Sequence, residues 1–182
     1  MDSKNIVMLI GSPRKNGNTS TMSKMLARNL GNGKLSTFFL YDYQISPCTD
    51  CRKCKKGDLV CTVSDDLDEI YKRIESADVI VFGTPIYWYG PTAKMKLLID
   101  RLRPYFQNKK LNGKKAALLL PAGDGEKDCD LTIEMFKRIF RTLGVEYLGV
   151  VTSCAYDIGD AINDANLEEY LKSLSTKIIA GI

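Results

Sequence analysis

The chain contains no histidine. That absence removes Ser-His-Asp and Cys-His pairs, every His-ligated metal site, and the one side chain that serves as acid and base near pH 7. Chemistry must come from carboxylates, cysteines, tyrosines or a cofactor with its own reactivity. Long apolar runs are missing as well. Near the N-terminus only five consecutive residues, Ile6 to Ile10, are apolar before a glycine. Such a run is too short for a signal-peptide core or a membrane span. A cytoplasmic setting without membrane association is therefore expected, one in which thiols stay reduced. The excess of one sign of charge is small too. A net charge of +4 suits a phosphate-bearing ligand but is too weak and too scattered to argue for nucleic acid.

Repeats, low-complexity segments and linkers are absent, and 182 residues fit one domain spanning 1–182. A 45% hydrophobic and 26% charged composition is ordinary for a globular protein, which excludes disorder, collagen and coiled coil. Short apolar runs at Asn5–Ile10, Lys34–Leu40, Asp78–Gly83, Ala116–Leu120 and Glu146–Thr152 read as buried strands. Helical spacing of apolar residues marks Thr19–Leu30, Asp65–Ser76, Thr92–Leu102, Asp130–Leu143 and Asn166–Ile179. This alternation implies βαβ units, a parallel sheet, and an α/β three-layer sandwich with helices on both faces. Two connections, Tyr41–Ser64 and Ser153–Ala165, are long for such a fold. Ligands in these sheets bind beyond the carboxyl ends of the strands, at the switch in strand order.

Three loops lie there. The first, GSPRKNGNTS at Gly11–Ser20, is neither a dinucleotide fingerprint nor a Walker A loop. It does offer what a phosphate monoester needs: glycines for close approach, donors at Ser12, Asn18, Thr19 and Ser20, and a permanent cation at Arg14 beside a helix N-terminus. The helix end is worth about 0.3–2 kcal/mol toward a phosphate, and a charge-assisted bond from Arg14 about 1.5–3 kcal/mol. The second loop, GTPIYWYGPTAK at Gly83–Lys94, gathers Tyr87, Trp88 and Tyr89 between Pro85 and Gly90–Pro91. Three adjacent aromatics cannot all face a core, so at least one presents a flat face to solvent or to a planar ligand. The third, Pro121–Cys129, has Gly123 and Gly125, whose turn exposes amides to a ligand edge.

The connection after the second strand holds Cys48, Cys51, Cys54 and Cys61 in C-x2-C-x2-C-x6-C spacing. Three cysteines at two-residue intervals resemble the ferredoxin run that wraps a [4Fe–4S] cluster. A zinc site, usually two knuckles separated by a longer stretch, fits the spacing less well. Arg52, Lys53, Lys55 and Lys56 are interleaved and would offset thiolate charge. Cys129 and Cys154 read as small core or loop residues, and Asp100 and Arg101 as an ion pair or a subunit contact.

The alternation together with GSPRKNGNTS and TPIYWYGPTAKMKLLIDR resembles the flavodoxin-like NADPH-dependent FMN reductase superfamily. The resemblance implies a five-stranded sheet in the order 2-1-3-4-5. It also places the FMN phosphate on Ser12, Arg14, Asn18, Thr19 and Ser20. The isoalloxazine would lie along Pro85, Ile86, Tyr87, Trp88, Tyr89 and Gly90, with Ala122 and Gly123 at its other edge. Within the superfamily the cysteine motif is similar to that of the iron-sulfur flavoproteins. These carry FMN and one [4Fe–4S] cluster, act as homodimers or homotetramers, and take electrons from NAD(P)H or a ferredoxin-type donor for a small-molecule or protein acceptor. The implied protein is an FMN-dependent oxidoreductase with a cluster on Cys48, Cys51, Cys54 and Cys61. A cluster-free NAD(P)H-dependent FMN or quinone reductase and a pure electron carrier are the alternatives. The cysteine loop is expected to fold toward the FMN site or a neighbouring subunit.

Overall fold

The computed structural model describes residues 4–31 and 33–180. Chain order runs β1 (Asn5–Ile10), α1 (Asn18–Leu30), β2 (Lys34–Phe39), α2 (Leu67–Ser76) and β3 (Val79–Gly83). A small hairpin follows, β4 (Ile86–Tyr87) and β5 (Gly90–Pro91), then α3 (Ala93–Arg101) and α4 (Pro104–Asn108). The rest is β6 (Lys115–Ala122), α5 (Asp130–Leu143), β7 (Glu146–Cys154), α6 (Asp160–Asn163) and α7 (Leu167–Ala180).

The main sheet is parallel, ordered β2-β1-β3-β6-β7, the flavodoxin-like arrangement expected from the sequence. The central strands β1, β3 and β6 carry unbroken apolar runs because both their faces are covered. Val7, Leu9, Ile80, Phe82, Leu118 and Leu120 point to one face, under α2, α3 and α5. Ile6, Met8, Val79, Val81 and Leu119 point to the other, under α1 and α7. Phe82 anchors the first core, its ring 5.3 Å from Phe136 and 5.5 Å from Phe140. These apolar layers hold the carboxyl ends of the strands in a fixed line.

Several boundaries shift from the sequence reading. β7 continues through Cys154 and β6 through Ala122, which carries both strands closer to the crevice. α2 starts at Leu67 because Asp65 accepts from Leu67 N at 3.1 Å and ends the preceding loop. The short α4 and α6 and the β4–β5 hairpin carry too few residues for a periodic signal. Among the described residues no helix is long and apolar enough to cross a membrane.

Candidate functional site

β1 pairs with β2 on one side and β3 on the other, so the loops after β1 and β3 part above the switch point. They do so at very close range. Gly11 N donates to Gly83 O at 2.7 Å, and a Cβ on Gly11 would stand 2.8 Å from Met95 Cβ. A Cβ on Gly83 would stand 2.9 Å from Ile10 Cδ1 and 3.1 Å from Thr19 Cγ2. Only glycine lets the two loops cross here. Thr92 fixes the crossing: it caps α3, its Oγ1 donates to Gly11 O, and its N donates to Thr84 Oγ1 at 3.1 Å.

One pocket opens above this crossing. The first loop supplies Ser12, Arg14, Gly17, Asn18 and Thr19; the second Pro85, Ile86 and Tyr87; the third Pro121, Ala122, Gly123 and Asp128. The loop after β7 adds Ala155, Tyr156 and Ile158, none of which was singled out from the sequence. Tyr156 lies across Gly123, where a Cβ would meet its ring edge at 3.2 Å.

The first loop is tied down so that its cationic group stays free. Ser12 Oγ accepts from Arg14 N at 3.2 Å, and Ser20 Oγ donates to Arg14 O at 3.1 Å. Ser20 thus sits behind the loop rather than in the pocket lining. The exposed Arg14 side chain has no ion-pair or hydrogen-bond partner among the described residues. Gly17 caps α1 without a side-chain bond, so the first-turn amides of Asn18, Thr19 and Ser20 are available to an anion. The Asn18 side chain is committed elsewhere: its Nδ2 donates to Asp157 O at 2.8 Å and its Oδ1 accepts from Gly159 N at 3.0 Å. It braces the loop after β7. Thr19 Oγ1, by contrast, is buried with no hydrogen-bond partner. A buried hydroxyl left unpaired beside a free arginine and a bare helix N-terminus fits a phosphate group.

The aromatic segment forms the two-residue turn of the β4–β5 hairpin, with Trp88 at φ 50° and Tyr89 at φ 61°. Positive φ at two aromatic residues costs on the order of 1–3 kcal/mol each. Thr132 of α5 holds the turn by donating to Tyr89 O at 3.2 Å. Tyr87 lines the pocket, whereas Trp88 is 95% exposed and Trp88, Tyr89 and Gly90 lie outside the lining.

The four clustered cysteines meet elsewhere. Cys48, Cys51, Cys54 and Cys61, all free thiols, line a second pocket walled by Arg101, Arg103 and Pro104. Burial raises the Cys54 thiol, with further pressure from Cys61, Cys48 and Cys51. Cys51, exposed, is lowered by the Lys53 amide. Arg103 pairs with Asp50 and lines the same pocket as Cys48. Among the described residues no three cysteine or acidic side chains stand close enough to hold a single metal ion. Four cysteine side chains around one pocket are a donor set of the chemistry that a [4Fe–4S] cluster takes. Cys129 is different: burial and its acidic neighbours push its thiol up to about 12.

Two expectations change. Asp100 and Arg101 do not pair: Asp100 accepts from Lys96 at 2.7 Å, and the buried Arg101 forms its bridge with Asp65 at 2.8 Å. Adjacent helical residues point to different faces, so Arg101 turns inward while Asp100 stays in solvent. Nor does the cysteine loop fold over the first pocket. The two pockets share no lining residue and adjoin opposite ends of α3.

The family model described as NADPH-dependent FMN reductase matches residues 4–153, covering every strand of the sheet and both pockets' main loops. The chain belongs to this family. As a family member it is an FMN-dependent NAD(P)H oxidoreductase. An iron-sulfur flavoprotein of Methanocaldococcus jannaschii is 31% identical over 137 residues, 74% of this chain and 70% of that protein. A Bacillus subtilis protein named an NAD(P)H-dependent FMN-containing oxidoreductase is 32% identical over 167 residues, 87% of this chain and 90% of that one. Among solved structures, the Trp repressor binding protein of Bacillus subtilis superposes with a TM-score of 0.70 at 22% identity, covering 93% of this chain and 96% of its own. That likeness concerns the fold alone.

Proposed function

We propose that this reductase holds FMN in the pocket above the β1–β3 crossing and a [4Fe–4S] cluster on Cys48, Cys51, Cys54 and Cys61. The unpaired, buried Thr19 Oγ1 carries the flavin half of the reading. Thr19 Oγ1, the Ser12 loop and the first-turn amides of Asn18, Thr19 and Ser20 bind the phosphate, and Arg14 neutralises it. Pro85, Ile86 and Tyr87 orient one ring face, while Ala122 and Gly123 supply backbone groups at the far edge. Trp88, Tyr89 and Gly90 form the hairpin tip, held by Thr132, and present it outward, toward a substrate or a second copy of the chain in a homodimer or homotetramer. Tyr156, beside Gly123, stands at the pocket mouth.

FMN supplies hydride acceptance with release of electrons singly, and the cluster supplies one-electron transfer. The residues' own work is to bind, orient and exclude water. Arg101 and Arg103 offset the charge of four thiolates. The donor is NAD(P)H or a ferredoxin-type protein, and the acceptor a small molecule or protein.

A second reading, a cluster-free FMN or quinone reductase, is favoured by the near full-length match to the Bacillus subtilis oxidoreductase. Iron and sulfide analysis of anaerobically purified protein separates the two: about four of each per chain supports the cluster, and none supports the simple reductase.

A further inference from the structure

We propose that Arg101 is the positioning residue of the cysteine site: it holds the neck of the cysteine loop shut and reserves one N–H for anionic sulfur in the pocket. The second half of this proposal rests on the cluster reading above; the first does not.

A guanidinium carries five N–H donors in a fixed fork. At Arg101, whose side chain is wholly buried, four of them are spent on the neck of the loop. Nη1 donates to Ser46 O at 2.9 Å and Asp65 Oδ2 at 2.8 Å, and Nη2 to Val63 O at 3.0 Å and Asp65 Oδ1 at 3.3 Å. Ser46 and Val63 bracket all four cysteines, so one side chain ties both ends of the segment that carries them. Asp65 completes the knot by accepting from Ser46 N at 2.8 Å. Tyr71 holds the other side, its hydroxyl donating to Arg101 O at 2.6 Å.

The loop needs such a hold. Asp50, Arg52 and Leu59 all adopt positive φ, a backbone that persists only when its surroundings over-determine it. Lysine could not replace the fork, because a point charge cannot span two carbonyls and a carboxylate in one plane.

The fifth donor is the informative one. Arg101 Nε is buried with no partner, and Arg101 forms part of the wall of the four-cysteine pocket. Cys61 lines the same pocket as Arg101. Buried donors are rarely left unpaired. The other unpaired buried side-chain atom among the described residues, Thr19 Oγ1, also belongs to a pocket-lining residue. An N–H donated to cluster or thiolate sulfur stabilises the more negative, reduced state and so raises the reduction potential.

The test uses the full chain with FMN bound and compares wild type, Arg101→Lys and Arg101→Gln. In iron-free protein, labelling of the buried Cys54 by a disulfide reagent should run about tenfold or more faster in both variants, because the neck opens. FMN affinity should stay unchanged. Should Arg101→Gln fail to fold, Asp65→Asn opens the same neck with Arg101 intact and should give the same labelling. After anaerobic reconstitution with iron and sulfide, the cluster midpoint of Arg101→Lys, which keeps the charge but loses the Nε–H, should fall below that of wild type. Equal labelling rates overturn the neck role. Equal midpoints overturn the donor role. A wild-type chain that takes up no iron and sulfide overturns the cluster reading and the donor role with it, while the labelling rates still decide the neck role.

Discussion

Thr92 caps one nine-residue helix and Arg101 ends it, and each anchors a different loop. Thr92 Oγ1 bonds Gly11 O beneath the crevice at the switch point, while Arg101 ties the neck of the cysteine loop to Asp65. At 1.5 Å per residue the two stand roughly 14 Å apart along the helix. The reductase thus holds two chemically different pockets on one rigid rod, separated by packed side chains of the α2–α3–α5 core.

Separation makes their energetics independent. Arg14→Ala removes the free cation of the first loop and should weaken FMN binding about tenfold or more. Thr19→Val, which keeps shape and removes the orphaned hydroxyl, should act in the same direction. Titration followed by flavin fluorescence checks both. Neither change should alter iron uptake by the cysteine loop, since sites without shared partners behave additively.

The hairpin aromatics should divide by position. Tyr87 lines the flavin pocket, so Tyr87→Leu should brighten bound flavin by removing a quencher. Trp88→Gly should leave flavin emission and affinity as they were, because Trp88 is 95% exposed and outside the lining. It should also relieve the positive φ at that position, by roughly 0.4–1 kcal/mol or more in urea unfolding. Equal effects of the two changes on flavin emission would contradict this division.

Close approach at the crossing gives a third expectation. Gly11→Ala places a methyl 2.8 Å from Met95 Cβ, and overpacking of this kind costs about 1–3 kcal/mol. Thermal unfolding and flavin retention should both suffer, whereas Gly57→Ala, whose Cβ would meet nothing within 4 Å, should strain only its local turn.

Much of this was legible in the sequence, for identifiable reasons. Strands such as Val79–Gly83 are buried on both faces and therefore unbroken in apolarity, and the switch point follows from the strand order. Motif loops announced themselves by composition. What stayed hidden depends on partners far apart in the chain. Arg101 and Asp65 are 36 residues apart, and nothing local marks them as a pair. Asn18 reads as a phosphate donor until Asp157 and Gly159, more than 130 residues later, are seen to occupy its amide. Tyr156 sits in a long connection without periodicity, so its place at the pocket mouth had no signal beyond loop length.

Acid should loosen the cysteine loop first. Burial tends to raise the Asp65 carboxyl, but Arg101 and the amides of Ser46 and Leu67 outweigh it and hold it below its ordinary value. A depressed carboxylate contributes stability that is full above its unfolded pKa, about 3.9, and is lost as pH falls through the folded value. Urea unfolding between pH 5 and pH 2, ordinary limits for a carboxylate of about this kind, should show stability falling below the usual Asp range. The fall should be smaller in Asp65→Asn, and an identical pH slope in the two proteins would assign the loss to other carboxylates.

The most direct measurement is the visible absorption spectrum of anaerobically purified protein, before and after dithionite, with iron, sulfide and flavin counted on the same sample. One FMN and about four irons with matching sulfide per chain are expected, with a broad absorption that bleaches on reduction. Single Cys→Ser changes at Cys48, Cys51, Cys54 or Cys61 should remove the iron and leave the flavin. Zinc near one per chain without sulfide, from iron-replete cells, would contradict the cluster and leave a simple flavin reductase.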